Sequence, residues 1–260
     1  MGQFLEYVKM ALDNIRANKG RSFLTMLGII IGITSVVTIV SIGNGLKNDV
    51  VDATNVQTNT VTVQVNSEEV TRTDAITGDD ISFLRDALGD SVENITTTQT
   101  MSGKCTTRKG TFDAYVTMTT PDYENAQYTS PLVKGSYFTE NDTESGRPVC
   151  VIDELTARYL FGNTNVVGMS FELAIDSGIQ EVTILGVRET SDDMLEVEAT
   201  YQAMGMPESI SIEVPYTLSE AFGQPIEGFY SVSLTAADSD NASRVASTAV
   251  QLLNSRHQDL

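Results

Sequence analysis

The sequence predicts an α+β protein with one N-terminal transmembrane helix and a large extracytoplasmic region, in which a strand-rich part is inserted into an α/β part. Three observations predict it. The run from Phe23 to Ile42 is twenty residues long without a charge. Charge then divides sharply along the chain: 12 of the 16 basic and 33 of the 35 acidic residues lie beyond Ile42. Finally, a strand–helix–strand pattern opens the region after the apolar run and a strand–helix pattern closes it, with a block of mostly strands between.

The apolar run comes first because it fixes the topology. As a helix it spans about 30 Å, the thickness of a bilayer's hydrocarbon core. Twelve of its twenty residues are Phe, Leu, Ile or Val, which outweigh the milder polar ones on an insertion scale. The uncharged stretch reaches from Ser22 to Leu46, and soluble core helices rarely stay uncharged on every face. A cleaved leader fits poorly, since its apolar region is only about 7–15 residues and ends in a small-residue cleavage site. Lys9, Arg16, Lys19 and Arg21 precede the run, and basic residues beside a first span stay in the cytoplasm. The N-terminus is therefore placed inside, and everything after about residue 43 outside the cell membrane. About 215 residues remain there, enough to bury one or two cores.

Residues 1–22 read as an amphipathic helix in the cytoplasmic membrane interface. Phe4, Leu5, Val8, Ala11, Leu12 and Ile15 share one face, and Lys9, Asp13 and Arg16 take the other. Within the span 23–42, Gly28 and Gly32 form a Gly-x-x-x-Gly pair that lets a second helix approach closely. Thr25, Thr34, Ser35 and Thr38 bond back to their own helix. Residues 43–58 continue as a short stalk with Leu46, Val50 and Val51 as its apolar stripe.

The period then switches to two, with Val61, Val63 and Val65 on one face of a strand. Thr77 caps a helix with Asp80 three residues on; Ile81, Leu84 and Leu88 face its core and Gly89 ends it. Extended segments follow at Val92–Thr100 and Thr111–Thr119, with turn signals at Ser102-Gly103 and Lys109-Gly110. Pro121 to Pro131 breaks the pattern and marks a boundary, with Tyr123, Tyr128 and Tyr137 around it; these are read as ordinary packing. Beyond it come a strand to Ile152, a helix Glu154–Phe161 capped by Asp153 and closed by Gly162, and strands near Met169–Leu173 and Glu181–Val187. The acidic stretch Glu189–Ser209 reads as a long exposed loop, with Met194, Met204 and Met206 as incidental residues rather than an apolar grip. Strands at Ile210–Val214 and Tyr230–Leu234 and a helix from about Asn241 to Asn254 complete the pattern. The division expected is 59–121 with 228–260 for the α/β part, and 122–227 for the inserted part.

Several chemistries are missing. There is no phosphate-binding Gly-x-x-x-x-Gly-Lys loop, and Gly43-Asn44-Gly45 follows a membrane span rather than a strand. The only histidine is His257, so no metal spacing exists and the usual catalytic base is lacking. Adjacent carboxylates such as Asp79-Asp80 and Asp192-Asp193 are helix starts or solvated loops. No catalytic residue, cofactor or metal site is assigned, and the chain is not expected to be an enzyme. A net charge of −19 argues against nucleic acid as a partner. Cys105 and Cys150 lie outside by this topology; an oxidising compartment permits a disulfide between them, although two unpaired, half-buried thiols are favoured.

The order of segments resembles the permeases of the MacB-type ABC exporters. The resemblance is carried by Ala11-Leu12-Asp13-Asn14-Ile15-Arg16-Ala17-Asn18-Lys19 and by Arg21 to Ile33, then by Ser41-Ile42-Gly43-Asn44-Gly45, Asn59-Thr60-Val61-Thr62-Val63, Gly135-Ser136-Tyr137-Phe138, Leu160-Phe161-Gly162, Val167-Gly168-Met169, Val182 to Val187 and Val214-Pro215-Tyr216. It implies a MacB-like periplasmic core domain, with a porter-like α/β subdomain and an inserted strand-rich one, between the first and second of four membrane helices. It also implies a separate ABC ATP-binding subunit, a second permease copy in a homodimer and a periplasmic-adaptor-like protein, besides the membrane lipid. In such permeases ATP-driven motion inside is transmitted outward to move substrate or lipoprotein. The sequence holds one span and no cytoplasmic coupling element, so it reads as the N-terminal portion of such a permease. The alternative is a stand-alone single-pass anchor carrying an extracytoplasmic binding or sensor domain.

Overall fold

A computed structural model describes residues 6–7, 9–10, 17–55, 59–65, 75–126, 129–205 and 209–257. The chain divides into two compact units, Met1–Val56 and Gln57–Leu260.

The first unit is dominated by one helix, α1 (Lys19–Asn55), 37 residues without a break. Its part Lys19–Ile39, 21 residues, is long and apolar enough to cross a membrane, and none of it is buried. The span and the stalk expected from the sequence are therefore one continuous helix. The Thr25 and Thr38 hydroxyls donate to the carbonyls of Arg21 and Thr34, at 2.9 and 2.8 Å, as expected of hydroxyls in an apolar helix. Most of the expected interfacial helix lies outside the described residues.

The second unit has two sheets, each with its own core. The smaller contains β1 (Thr60–Gln64), β2 (Val92–Thr96) and β10 (Ser231–Ala236), antiparallel in the order β1-β10-β2. Two helices, α2 (Gly78–Leu88) and α6 (Ala242–His257), cover one face. Alternation puts Val61, Val63, Ile95, Val232, Leu234 and Ala236 toward them, against Ile81, Leu84, Val245 and Ala249. The opposite face carries hydroxyls, with Thr60 paired to Thr235 and Thr62 to Ser233 at 3.2 and 3.1 Å. A capping box starts α2: the Thr77 hydroxyl accepts from the Asp80 amide, and the Asp80 carboxylate accepts from the Thr77 amide.

The larger sheet holds β3 (Thr98–Thr107), β4 (Gly110–Thr119), β5 (Leu132–Gly135), β6 (Val149–Asp153), β7 (Ser170–Ile175), β8 (Gly178–Arg188) and β9 (Ser209–Pro215). Their order is β5-β8-β6-β9-β4-β3-β7, and β7 also pairs with β8. Six strands thus close into a mixed barrel, with β5 attached along the end of β8. Closure is possible because β8 is long: Gly178–Thr183 pairs with β7, and Thr183–Arg188 pairs with β6. A barrel of this size is filled by side chains. Here they include Cys105, Val116, Met118, Cys150, Leu173, Ile184, Ile212 and Val214, all wholly buried. Two short helices, α3 (Glu140–Glu144) and α4 (Glu154–Phe161), and a longer one, α5 (Asp192–Ala203), join these strands.

Three differences from the sequence reading stand out. Strands β3 and β4, grouped there with residues 59–121, pair in the barrel, so the chain changes sheets at Thr97 rather than at Pro121. The turn expected at Ser102-Gly103 is mid-strand. Gly103 is there because a Cβ would meet the Ala174 carbonyl oxygen at 2.8 Å, so it marks close strand approach. Glu189–Ser209, expected as a loop, contains α5. Ser191 caps that helix by accepting from the Met194 amide, yet its one buried side chain is Glu198. It therefore has no inward apolar stripe by which a sequence pattern would reveal it.

Candidate functional site

The candidate site is the joint between the two sheets, built around a 3-10 turn at Pro121–Asn125. Thr97 alone separates β2 from β3. Its hydroxyl donates to the Ser231 carbonyl at 3.0 Å, and its carbonyl accepts from the Thr119 hydroxyl at 2.6 Å. The Thr120 hydroxyl donates to the Ile95 carbonyl at 3.2 Å. All three threonines are buried, so each hydroxyl satisfies a backbone group that pairing leaves over. Asp122 fastens the turn itself: one carboxylate oxygen accepts from the Ile95 amide and from the Arg85 guanidinium of α2, both at 2.9 Å.

On the barrel side, Arg188 holds the same segment. It ends β8, and its side chain is 5% exposed. Its Nε donates to both carboxylate oxygens of Glu213 on β9, at 2.9 and 3.1 Å. Its two terminal nitrogens donate to the carbonyls of Tyr123, Glu124 and Ser130. The Tyr137 ring lies 5.0 Å from the guanidinium carbon, and the Tyr137 hydroxyl donates to Glu213 at 2.7 Å. Burial pushes the Glu213 carboxyl above its ordinary range, against the pull of the Arg188 charge. Burial and then the Glu213 charge push the Tyr137 and Tyr123 phenols up. The turn Pro121–Asn125 is thus tied to the smaller sheet through Asp122 and to the barrel through Arg188. A second bridge is apolar: Tyr216 and Ile226 pack against both cores, and the Tyr216 ring meets Phe229 edge-on at 5.3 Å.

Two open clefts border the joint. One, of about 250 Å³, lies against the hydroxyl face of the smaller sheet and is bounded by Thr60, Thr62, Thr98, Tyr123 and Thr129. The other, of about 200 Å³, lies beside Arg188 and includes Asp153, Thr190, Met194 and Ser211. Among the described residues no cluster of three or more His, Cys, Asp or Glu is placed to hold a metal. The arrangement connects the two sheets.

None of the residues singled out for orientation, helix packing or a disulfide belongs to this joint. Lys9, Lys19 and Arg21 are exposed; Arg16 lies outside the described residues. At Gly28 and Gly32 an added Cβ would meet nothing within 4 Å. Cys105 and Cys150 are free thiols and both wholly buried inside the barrel, not half-buried. Of the three tyrosines near the boundary, Tyr123 and Tyr137 come together at the joint and Tyr128 lies outside the described residues. Sequence reasoning missed Arg188, Glu213 and Asp122. The first two left a signal, as single charges at the end of or within the apolar strands 182–188 and 210–214, where a charge is rarely buried unless paired.

Residues 22–252 match the model of the MacB-like periplasmic core domain family. Among curated relatives, the macrolide export ATP-binding/permease protein MacB of Vibrio parahaemolyticus is 30% identical over 264 residues, covering 98% of this chain and 37% of that protein. The uncharacterised ABC transporter permease YknZ of Bacillus subtilis is 29% identical over 262 residues, covering 97% of this chain and 61% of that protein. The chain thus spans between about a third and three-fifths of the length of these relatives. Among solved structures, the extracellular domain of the ABC-type transporter YknZ from Gram-positive bacteria superposes with a TM-score of 0.56 at 22% identity, over 77% of this chain and 95% of that one. The periplasmic region of MacB from Actinobacillus actinomycetemcomitans superposes with a TM-score of 0.58 at 18% identity, over 77% and 85%. At these identities the structures speak for the fold.

Proposed function

This chain belongs to the MacB-like periplasmic core domain family, and from that membership we propose that it is the N-terminal portion of an ABC export permease. Its extracytoplasmic domain couples ATP-driven motion to the outward movement of substrate or lipoprotein. The observation that carries the reading is the unbroken α1. At 1.5 Å per residue its 37 residues are about 55 Å long, well beyond the roughly 30 Å of a bilayer core. In this reading a displacement at the cytoplasmic end of α1 is carried along the helix without a hinge. The doubly tied turn at Pro121–Asn125 then passes the displacement from the smaller sheet to the barrel.

In this reading Lys9, Arg16, Lys19 and Arg21 keep the N-terminus in the cytoplasm. Gly28 and Gly32 receive a neighbouring membrane helix. ATP is hydrolysed by a separate ABC subunit, and a second permease copy and a periplasmic-adaptor-like protein complete the assembly. The test is co-purification of the full-length permease carrying this chain with its ATP-binding subunit in lipid nanodiscs. ATP turnover is expected to rise several-fold with a transported substrate. A permease that binds no ATPase, or leaves its turnover unchanged across candidate substrates, overturns the reading.

A further inference from the structure

Helix α5 is attached to the barrel the wrong way round for a soluble helix. Its inward contacts are polar: the Tyr159 hydroxyl of α4 donates to Glu198 at 2.5 Å, and Gln202 donates to both, at 3.0 and 3.1 Å. Its larger aliphatic side chains are exposed instead, Met194 at the rim of the cleft beside Arg188, and Tyr201 is half-buried beside them. Met194, Val197, Tyr201 and Met204 recur at spacings of three, four and three, which puts them on one stripe. Met194, Val197 and Met204 are 40%, 46% and 69% exposed. This is the seam by which one helix receives another. An amphipathic surface helix normally turns that seam to its own core.

The charge along this segment of the chain has one sign, although Arg158 of α4 is exposed beside Tyr159. Glu189, Asp192, Asp193 and Glu196 are exposed around the start of the helix, and the sequence holds no Lys or Arg between Arg188 and Arg244. We propose that α5 is a docking ridge for a short basic amphipathic helix, whose apolar stripe packs on Met194, Val197, Tyr201 and Met204 while its lysines or arginines meet the flanking carboxylates. The occupant is a cationic peptide rather than a folded partner. A 12-residue helix is about 18 Å long, and one such face is well short of the roughly 800 Å² per partner that a standing protein complex buries. Methionines suit a variable occupant, because their unbranched side chains repack at little cost. Taking the peptide as cargo rests on the exporter reading; the binding itself does not.

The test uses the full chain in phosphatidylcholine nanodiscs, and the probe is a dye-labelled 14-residue peptide with leucine at the first and fourth positions of each seven and lysine and alanine elsewhere. Fluorescence anisotropy is expected to show saturable binding that weakens about tenfold or more between 50 and 500 mM salt. Val197→Ser/Met204→Ser is expected to weaken it at least about tenfold, by removing apolar contact at exposed positions. Asp193→Lys/Glu196→Lys is expected to do the same through charge, so the ridge stays testable if one variant fails to fold. The proposal is overturned if a scrambled or glutamate-for-lysine peptide binds equally, if empty nanodiscs take up the peptide as well, or if both variants bind like the parent. It is also overturned if sedimentation shows a dimer that Val197→Ser/Met204→Ser dissolves and the peptide leaves intact, since the ridge would then receive a second copy. ATPase co-purification is scored separately, so loss of the ridge and loss of the exporter reading give different patterns.

Discussion

Arg188 and Glu213 form a two-pronged pair inside the second unit, with the Arg188 Nε 2.9 and 3.1 Å from the two carboxylate oxygens and the side chains 5% and 16% exposed. Breaking such a pair leaves one charge buried without a partner. Arg188→Ala is expected to cost about 3–5 kcal/mol in urea unfolding, and Arg188→Lys to recover only part of it, because an ammonium cannot reach Glu213 and three carbonyls together. The double variant Arg188→Met/Glu213→Leu is expected to be more stable than Arg188→Ala. A double variant no better than the single one would mean that the pair is not what the site depends on.

Asp122 separates charge from hydrogen bonding at the other side of the joint. Asp122→Asn keeps an oxygen for the Ile95 amide and loses only the ion pair with Arg85, which is 43% exposed; the cost is expected to stay under about 1 kcal/mol. Asp122→Ala orphans the Ile95 amide and is expected to cost about 1–3 kcal/mol. Equal urea midpoints for the two variants would contradict this assignment.

Stability should depend on pH with two opposed slopes. Burial raises Asp80, but the Thr77 amide and hydroxyl, with the charges of His257 and Arg256, outweigh it and hold the carboxyl below its ordinary range. The Arg147 hydrogen bond and then the Thr139 amide hold Asp142 down as well. Both contribute stability that is present above the unfolded value near about 3.9 and lost as pH falls through their folded values. Glu213 runs the other way. Raised by burial, it favours the fold at lower pH and gives that up as pH rises from about 4.3 through its folded value. Urea midpoints from pH 2 to 8 should therefore show Asp80→Asn flattening the acid limb, and Glu213→Gln flattening the fall on the other side.

The cysteines report on barrel closure. Burial pushes both thiols up, and the Cys105 charge adds to the effect on Cys150. In the folded protein neither is expected to react with a maleimide at pH 7, whereas both react in 6 M guanidinium. Rapid labelling of the native protein would mean that the ladder between β7 and β8 is open.

What the sequence made legible was local. The Thr77–Asp80 capping box, the Asp153 cap and the Gly162 stop each declare themselves within four residues, and the structure forms all three. The closing of the barrel was not legible, because it depends on β8 pairing with β7 along one half and β6 along the other, and alternation says which face a residue takes but not which strand it meets. The joint was hidden for the same reason: Arg188 and Glu213 are 25 residues apart, and Asp122 meets its partners only after the chain has gone out through β3 and back through β4. Helix α5 escaped because its one buried side chain is Glu198, so no apolar stripe faces inward.

The proposed topology puts Tyr7 on the cytoplasmic side of the membrane and Tyr115 outside it. Tyr7 and Tyr115 are 69% and 54% exposed, so a cysteine replacing either one is open to reagent, while Cys105 and Cys150 are buried. The direct measurement is labelling of Tyr7→Cys and Tyr115→Cys in intact spheroplasts with a membrane-impermeant maleimide. Tyr115→Cys is expected to label at once and Tyr7→Cys only after permeabilisation. Labelling of Tyr7→Cys from outside, with Tyr115→Cys protected until the membrane is opened, would contradict that topology.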